Sequence, residues 1–227
     1  MTTHKHPTEL SLHLLRLVSP SQPVGGFSYS RGLEWVVHTG TVRNEQTASA
    51  WILGLLEHSY ATLDGALFWR MMHALQAGSR QLFLDANAWL AASRESRELE
   101  LEDLRMSESL LHLLAELGVG CARDYCDRRL TYPAAFAVAA NHWNIPPADA
   151  LRGLMWTVVE GQVAAAIRLV PLGHTAGQRI LIDSTSTIER AFRRAATLTD
   201  DEIGNLAPAM AMASAWHESQ YSRLFRS

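Results

Sequence analysis

The sequence predicts an all-α protein, a single-domain bundle of about ten helices with no sheet. Apolar residues recur at three- and four-residue spacing along most of the chain. Glycines and prolines punctuate these runs where helices stop or start. No segment sustains a period-2 alternation rich in β-branched residues, and the hairpin dipeptide Asn-Gly does not occur.

The first run carries Leu10, Leu14, Leu17 and Val18 on one face, with Thr8 as its cap and Pro20 as its end. A turn-rich stretch, P-V-G-G-F-S-Y-S-R-G-L-E-W (Pro23 to Trp35), follows, and helix resumes from Gly32 to a stop at Gly40. Asn44 caps a helix with Ala48, Trp51, Ile52, Leu55 and Leu56 inward, and Thr62 or Asp64 restarts the chain as a new helix that stops at Gly78. Ser79 opens the next, through Phe83 and Leu90. The charged segment from Arg94 to Gly118 then mixes opposite-sign pairs with leucines, and its charges read as a solvated face. Pro133 sits in the first turn of another helix. Ala148 to Leu169 is a long run in which Gly153, Gly161, Ala164, Ala165 and Ala166 let a neighbour approach closely. Thr175 to about Thr197 is helical, Thr199-Asp200-Asp201-Glu202 has the form of a capping box, and Pro208 starts a last helix running toward Tyr221.

Composition narrows the function. The 227 residues are 48% hydrophobic and 19% charged, with a net charge of −3, which is globular and lacks the basic field that nucleic-acid binding demands. Nineteen basic residues are arginine, and Lys5 is the lone lysine, so neither a P-loop nor a Schiff-base site is available. Cys121 and Cys126 fit neither a disulfide framework nor a C-x-x-C pair, which implies a reducing compartment. No signal peptide and no membrane-spanning run is read, so the expected location is the cytoplasm.

Serine chemistry fails in the turn-rich stretch: the register Gly26-Phe27-Ser28-Tyr29-Ser30 lacks the second glycine of a nucleophile elbow. Gly25-Gly26 has no phosphate-loop spacing and marks a sharp backbone turn. The ten histidines are scattered, and three metal ligands cannot be assembled from them. Glu100, Glu102 and Asp103 read as solvated. Glu160 lies among small and apolar residues, which predicts a structural pair with Arg152 or Arg168. An all-α small-molecule enzyme with a pocket around Glu160 and His142 is the rival reading. The chain closes with Trp216, Tyr221, Leu224, Phe225 and the arginines 223 and 226, and residues 217–227 read as a partner-docking segment, whereas 1–7 read as a flexible tail.

Four ordered motifs carry a resemblance. They are L-V-S-P-S-Q-P-V-G-G-F-S-Y-S-R-G-L-E (Leu17–Glu34), S-R-E-S-R-E-L-E-L-E (Ser93–Glu102), R-L-V-P-L-G-H-T-A-G-Q-R (Arg168–Arg179) and H-E-S-Q-Y-S-R-L-F-R-S (His217–Ser227). The sequence resembles the urease accessory protein UreF family over nearly the whole chain. That resemblance implies a non-catalytic, dimeric assembly factor without a cofactor of its own. Such a factor binds the accessory protein UreD (UreH in some organisms), recruits the GTPase UreG, and docks on apo-urease to complete its nickel centre. GTP then belongs to the partner and nickel is handled by the complex. By the same resemblance Arg223 and Arg168 match residues that hold the GTPase, and Arg168 stands where lysine is frequent. Gly25, Gly26, Phe27 and Tyr29 match the N-terminal signature, and Tyr221, Phe225 and Arg226 flank Arg223 in the C-terminal one. His174, Ser107 and Ser219 depart from the family's common residues.

Overall fold

A computed structural model describes residues 11–227, and among them there is no strand. The tail 1–7, the cap at Thr8 and the apolar Leu10 lie outside the described residues. Ser11 caps α1 (Leu12–Leu17), its hydroxyl accepting from the Leu14 N–H at 3.3 Å. Then come α2 (Leu33–His38), α3 (Glu45–Leu55), α4 (Gly65–Gln76), α5 (Arg80–Ala92), α6 (Arg97–Glu116), α7 (Gly120–Arg123), α8 (Tyr132–His142), α9 (Pro147–Leu169), α10 (His174–Thr197) and α11 (Pro208–His217). The last of these stops at His217, short of the expected Tyr221. Beyond it the backbone N–H groups of Leu224 and Phe225 bond a carboxylate and leave the helical ladder.

The α8 helix is apolar all round, with Tyr132 to Ala140 buried, and it forms the centre against α4, α6 and α9. Phe68 of α4 meets Phe136 of α8 edge to face at 6.1 Å between ring centroids. The long helices α9 and α10 pair along their length, and α10 also packs on α4. Close approach to these two helices depends on a glycine in each. A Cβ on Gly153 would stand 2.6 Å from Leu14 Cδ1 of α1, and one on Gly177 would stand 2.6 Å from Ile167 Cδ1. Gly161 and Ala164 do not share that role; both are exposed.

The sequence predicts a break near Thr62, but helix is continuous from α3 to α4. Leu56–Asp64 is a π-helix, and the Gly65 N–H reaches back to the Tyr60 carbonyl. The widened turns free carbonyls, which another segment then uses. The Leu206 N–H bonds the His58 carbonyl at 2.9 Å, and the Gly204 N–H bonds that of Thr62 at 3.1 Å. No restart is needed because a distant loop supplies the missing partners.

At the start of α3, Asn44 and Thr47 form a reciprocal capping box, with the Thr47 N–H donating to Asn44 Oδ1 at 2.9 Å. Asn44→Ala should lower stability by about 1 kcal/mol, read as a drop in melting temperature. An unchanged melting curve would refute that role.

Candidate functional site

The four sequence motifs, far apart along the chain, meet on one side of the molecule. At Gly25 the chain turns with φ +75°, and the residues Gly26–Ser28 form one turn of 3-10 helix. Here Gly26 lies over α6: a Cβ there would be 3.3 Å from Met106 Cε. Phe27 is exposed, whereas Tyr29 points inward and is buried. Next to them the C-terminal segment runs alongside the same stretch. The Arg226 N–H donates to the Ser28 carbonyl at 2.8 Å, and the Ser30 N–H donates to the Ser227 carbonyl at 2.9 Å. From α9, Gln162 Nε2 donates to the Ser30 carbonyl at 2.8 Å.

Arg168, at the end of α9, joins the two signatures. Its guanidinium donates to the Phe27 carbonyl at 3.1 Å and lies 4.6 Å from the centroid of the Phe225 ring. Phe225 is 4% exposed, so it anchors the segment from beneath, while Tyr221, Arg223, Leu224 and Arg226 face solvent. Arg223, Leu224, Arg226 and Arg105 share one surface depression. Tyr221 lies in the adjoining one, beside Trp35 and His38.

Beneath this surface is a charged network that corrects the reading of the α6 carboxylates as solvated. Glu102 and Asp103 are 3% and 2% exposed. Glu102 accepts from Arg31 Nε at 2.6 Å and from the Ser227 hydroxyl at 2.8 Å. Arg94, between α5 and α6, donates to Asp103 at 2.7 Å and grips both oxygens of Asp64 at 2.7 and 3.2 Å. Asp64 and Tyr60 both come from the π-helical segment, and the Tyr60 hydroxyl accepts from Arg31. A helix face is solvated only if nothing packs over it, and here the Arg31 turn and the C-terminal segment cover it.

Burial pushes the Glu102 carboxyl up, and Arg31 beside it opposes that shift. Burial also works against the charge on both arginines, but neighbouring acidic groups outweigh it. Arg31 answers mainly to Glu102, and Arg94 to Asp103 and Asp64, and both guanidiniums are held above their usual range. Both cations therefore stay charged under any ordinary condition.

Glu160 does not form the pair expected of it. Arg152 bonds Glu189 at 2.5 Å, and Arg168 is engaged with Phe27 and Phe225. The side chain lines a cavity of about 150 Å³ between α1, the 23–31 stretch and α9, and partial burial pushes its carboxyl up. His142 is not part of that cavity; it is exposed and meets the edge of Trp143 at 5.7 Å. The pocket imagined around Glu160 and His142 therefore does not assemble, because the two stand on different helices facing different ways. Ser107 is buried on α6, and His174 is exposed at the start of α10. The Ser219 hydroxyl bonds the Trp216 carbonyl. Among the described residues no group of three or more His, Cys, Asp or Glu is placed to hold a metal ion. No described helix is long and apolar enough to cross a membrane.

Sequence reasoning missed Arg31, Glu34, Glu98 and His217 as contributors to this site. Glu98 and Glu102 stand one turn apart, which places them on one face of α6, but what covers that face is not a local property. The family model UreF matches residues 42–185. Among similar proteins, "Urease accessory protein UreF 2" of Brucella anthropi is 70% identical over 95% of this chain and 96% of its own length. "Urease accessory protein UreF" of Alkalilimnicola ehrlichii is 39% identical over the full length of both chains, and that of an Azoarcus species is 40% identical over 95% of each. With the motifs Leu17–Glu34 and His217–Ser227 joined at one surface and relatives aligned end to end, the chain belongs to the UreF family of urease accessory proteins.

Proposed function

We propose that this protein is a non-catalytic urease maturation factor of the cytoplasm. As a homodimer it binds UreD (UreH), and together they recruit the GTPase UreG, regulate its GTP hydrolysis and support nickel insertion into apo-urease. GTP sits on the partner, and nickel is cargo of the complex.

The observation that carries this reading is the surface at which the four motifs meet. Its outward groups are arginines 168, 223 and 226 with Phe27, Tyr221 and Leu224, the mixture of cations and apolar side chains that anchors protein interfaces. Its inward groups, Tyr29, Phe225 and the buried carboxylates, hold that surface in shape. Arg223 is held by Glu98 at 2.6 Å with 39% of its side chain exposed, so it is preorganised and still accessible.

Arg223→Ala should leave the helical fold and the dimer intact, because the residue lies outside the helices and makes one rim ion pair. It should abolish capture of the GTPase in a pull-down with the UreD partner present. Undiminished capture would remove Arg223 from the interface.

A further inference from the structure

We propose that His217 is the positioning residue that keeps segment 218–227 folded onto the surface. It does so by fastening the two carboxylates that hold Arg223 and the backbone of Leu224 and Phe225.

In sequence His217 is one of ten scattered histidines and opens the docking segment 217–227, with nothing local to mark its role. In the structure its ring is fully buried, at the last position of α11. Nδ1 lies 2.7 Å from Glu98 Oε2 of α6, and Nε2 lies 3.1 Å from Glu34 Oε2 of α2. One imidazole therefore links three helices through two carboxylates that are themselves nearly buried. Neither carboxylate ends its work there. Glu34 accepts the Leu224 N–H at 2.7 Å and the Phe225 N–H at 2.8 Å, and Glu98 accepts from Arg223 at 2.6 Å. The bonds from Glu34 and Glu98 to Arg223, Leu224 and Phe225 thus come from carboxylates that His217 orients, while Glu102 separately accepts the Ser227 hydroxyl.

Neighbouring contacts set the imidazole in place. Ser96 and Ser214 bond through their hydroxyls at 2.6 Å, and Glu218 accepts the Arg97 N–H at 3.0 Å, so α11 is registered on the start of α6. A residue that merely filled space between α2, α6 and α11 would need no polar atoms. Two nitrogens, each aimed at a separate carboxylate, are what a hinge between those carboxylates requires.

The consequence for partner capture rests on the reading of the surface proposed above, and two readouts keep the two ideas apart. Hydrogen exchange of the full-length protein would be followed for wild type, His217→Ala and the volume-preserving His217→Leu. In both variants amides within 218–227 should exchange about tenfold or more faster, the loss expected for charge-assisted hydrogen bonds, while α4 and α8 keep their protection. Wild-type protection in His217→Leu would show that the ring only packs, and would overturn the proposal. The same holds for His217→Ala if exchange is unchanged. In the second arm, GTPase capture by His217→Leu should fall as in Arg223→Ala, and the double variant should be no worse than either, as for residues acting as one unit. Faster exchange with undiminished capture would uphold the clamp and defeat the docking reading instead.

Discussion

Arg94→Ala should destabilise the protein by about 3–5 kcal/mol, the cost of breaking a buried ion pair by removing one partner. Arg94 is 5% exposed, and Asp64 and Asp103, which it joins, are equally enclosed. Without the guanidinium both carboxylates stay buried, and Arg31, 3.8 Å from Asp103, is already committed to Glu102 and Tyr60. Arg94→Lys keeps the charge but loses the two-pronged grip on Asp64, so it should fall between wild type and alanine. Urea denaturation of the purified protein measures both. A loss below about 1 kcal/mol, the level of an exposed pair, would show that water reaches this network.

Gly32→Ala should cost about 2–5 kcal/mol, from two independent causes. Gly32 holds φ +79°, a left-handed conformation that penalises any Cβ by about 1–2 kcal/mol. The added Cβ would also stand 3.0 Å from the Ser214 backbone nitrogen and from Ala213 Cβ, in a helix that cannot yield locally, with overpacking of about 1–3 kcal/mol. Pushing α11 away also moves His217, so the variant should loosen segment 218–227 as well. Gly161→Ala is the control. Nothing lies within 4 Å of a Cβ there, and alanine in a helix should be neutral or stabilising by up to about 1 kcal/mol. Equal stability of the two variants in denaturant would refute the close contact at Gly32.

Much of the fold was legible because its signals are local. Apolar spacing located the helices, Asn44 and Pro133 marked starts, and Gly40, Gly78 and Gly118, all at positive φ, marked stops. The failures share one cause. At Thr62 a loop 142 residues away in sequence supplies the hydrogen bonds that let the helix run on as a π-helix. On α6, Glu102 and Asp103 resemble Glu100 in sequence, yet they are buried and Glu100 is paired with Arg129 in the open. Tyr29 and Phe27, two residues apart in one signature, take opposite roles, one inward and one outward.

The helical class, most helix starts and stops, the near absence of lysine chemistry and the four motifs that mark the family can all be read along the chain. Those are properties of neighbours along the chain. Packing between distant segments settles which carboxylates lose their water, leaves Glu160 without the arginine expected for it, and makes His217 the link between α2, α6 and α11. Charge and polarity are written in a residue's type, but burial is a property of what packs on top of it, and the covering residues here come from both ends of the chain.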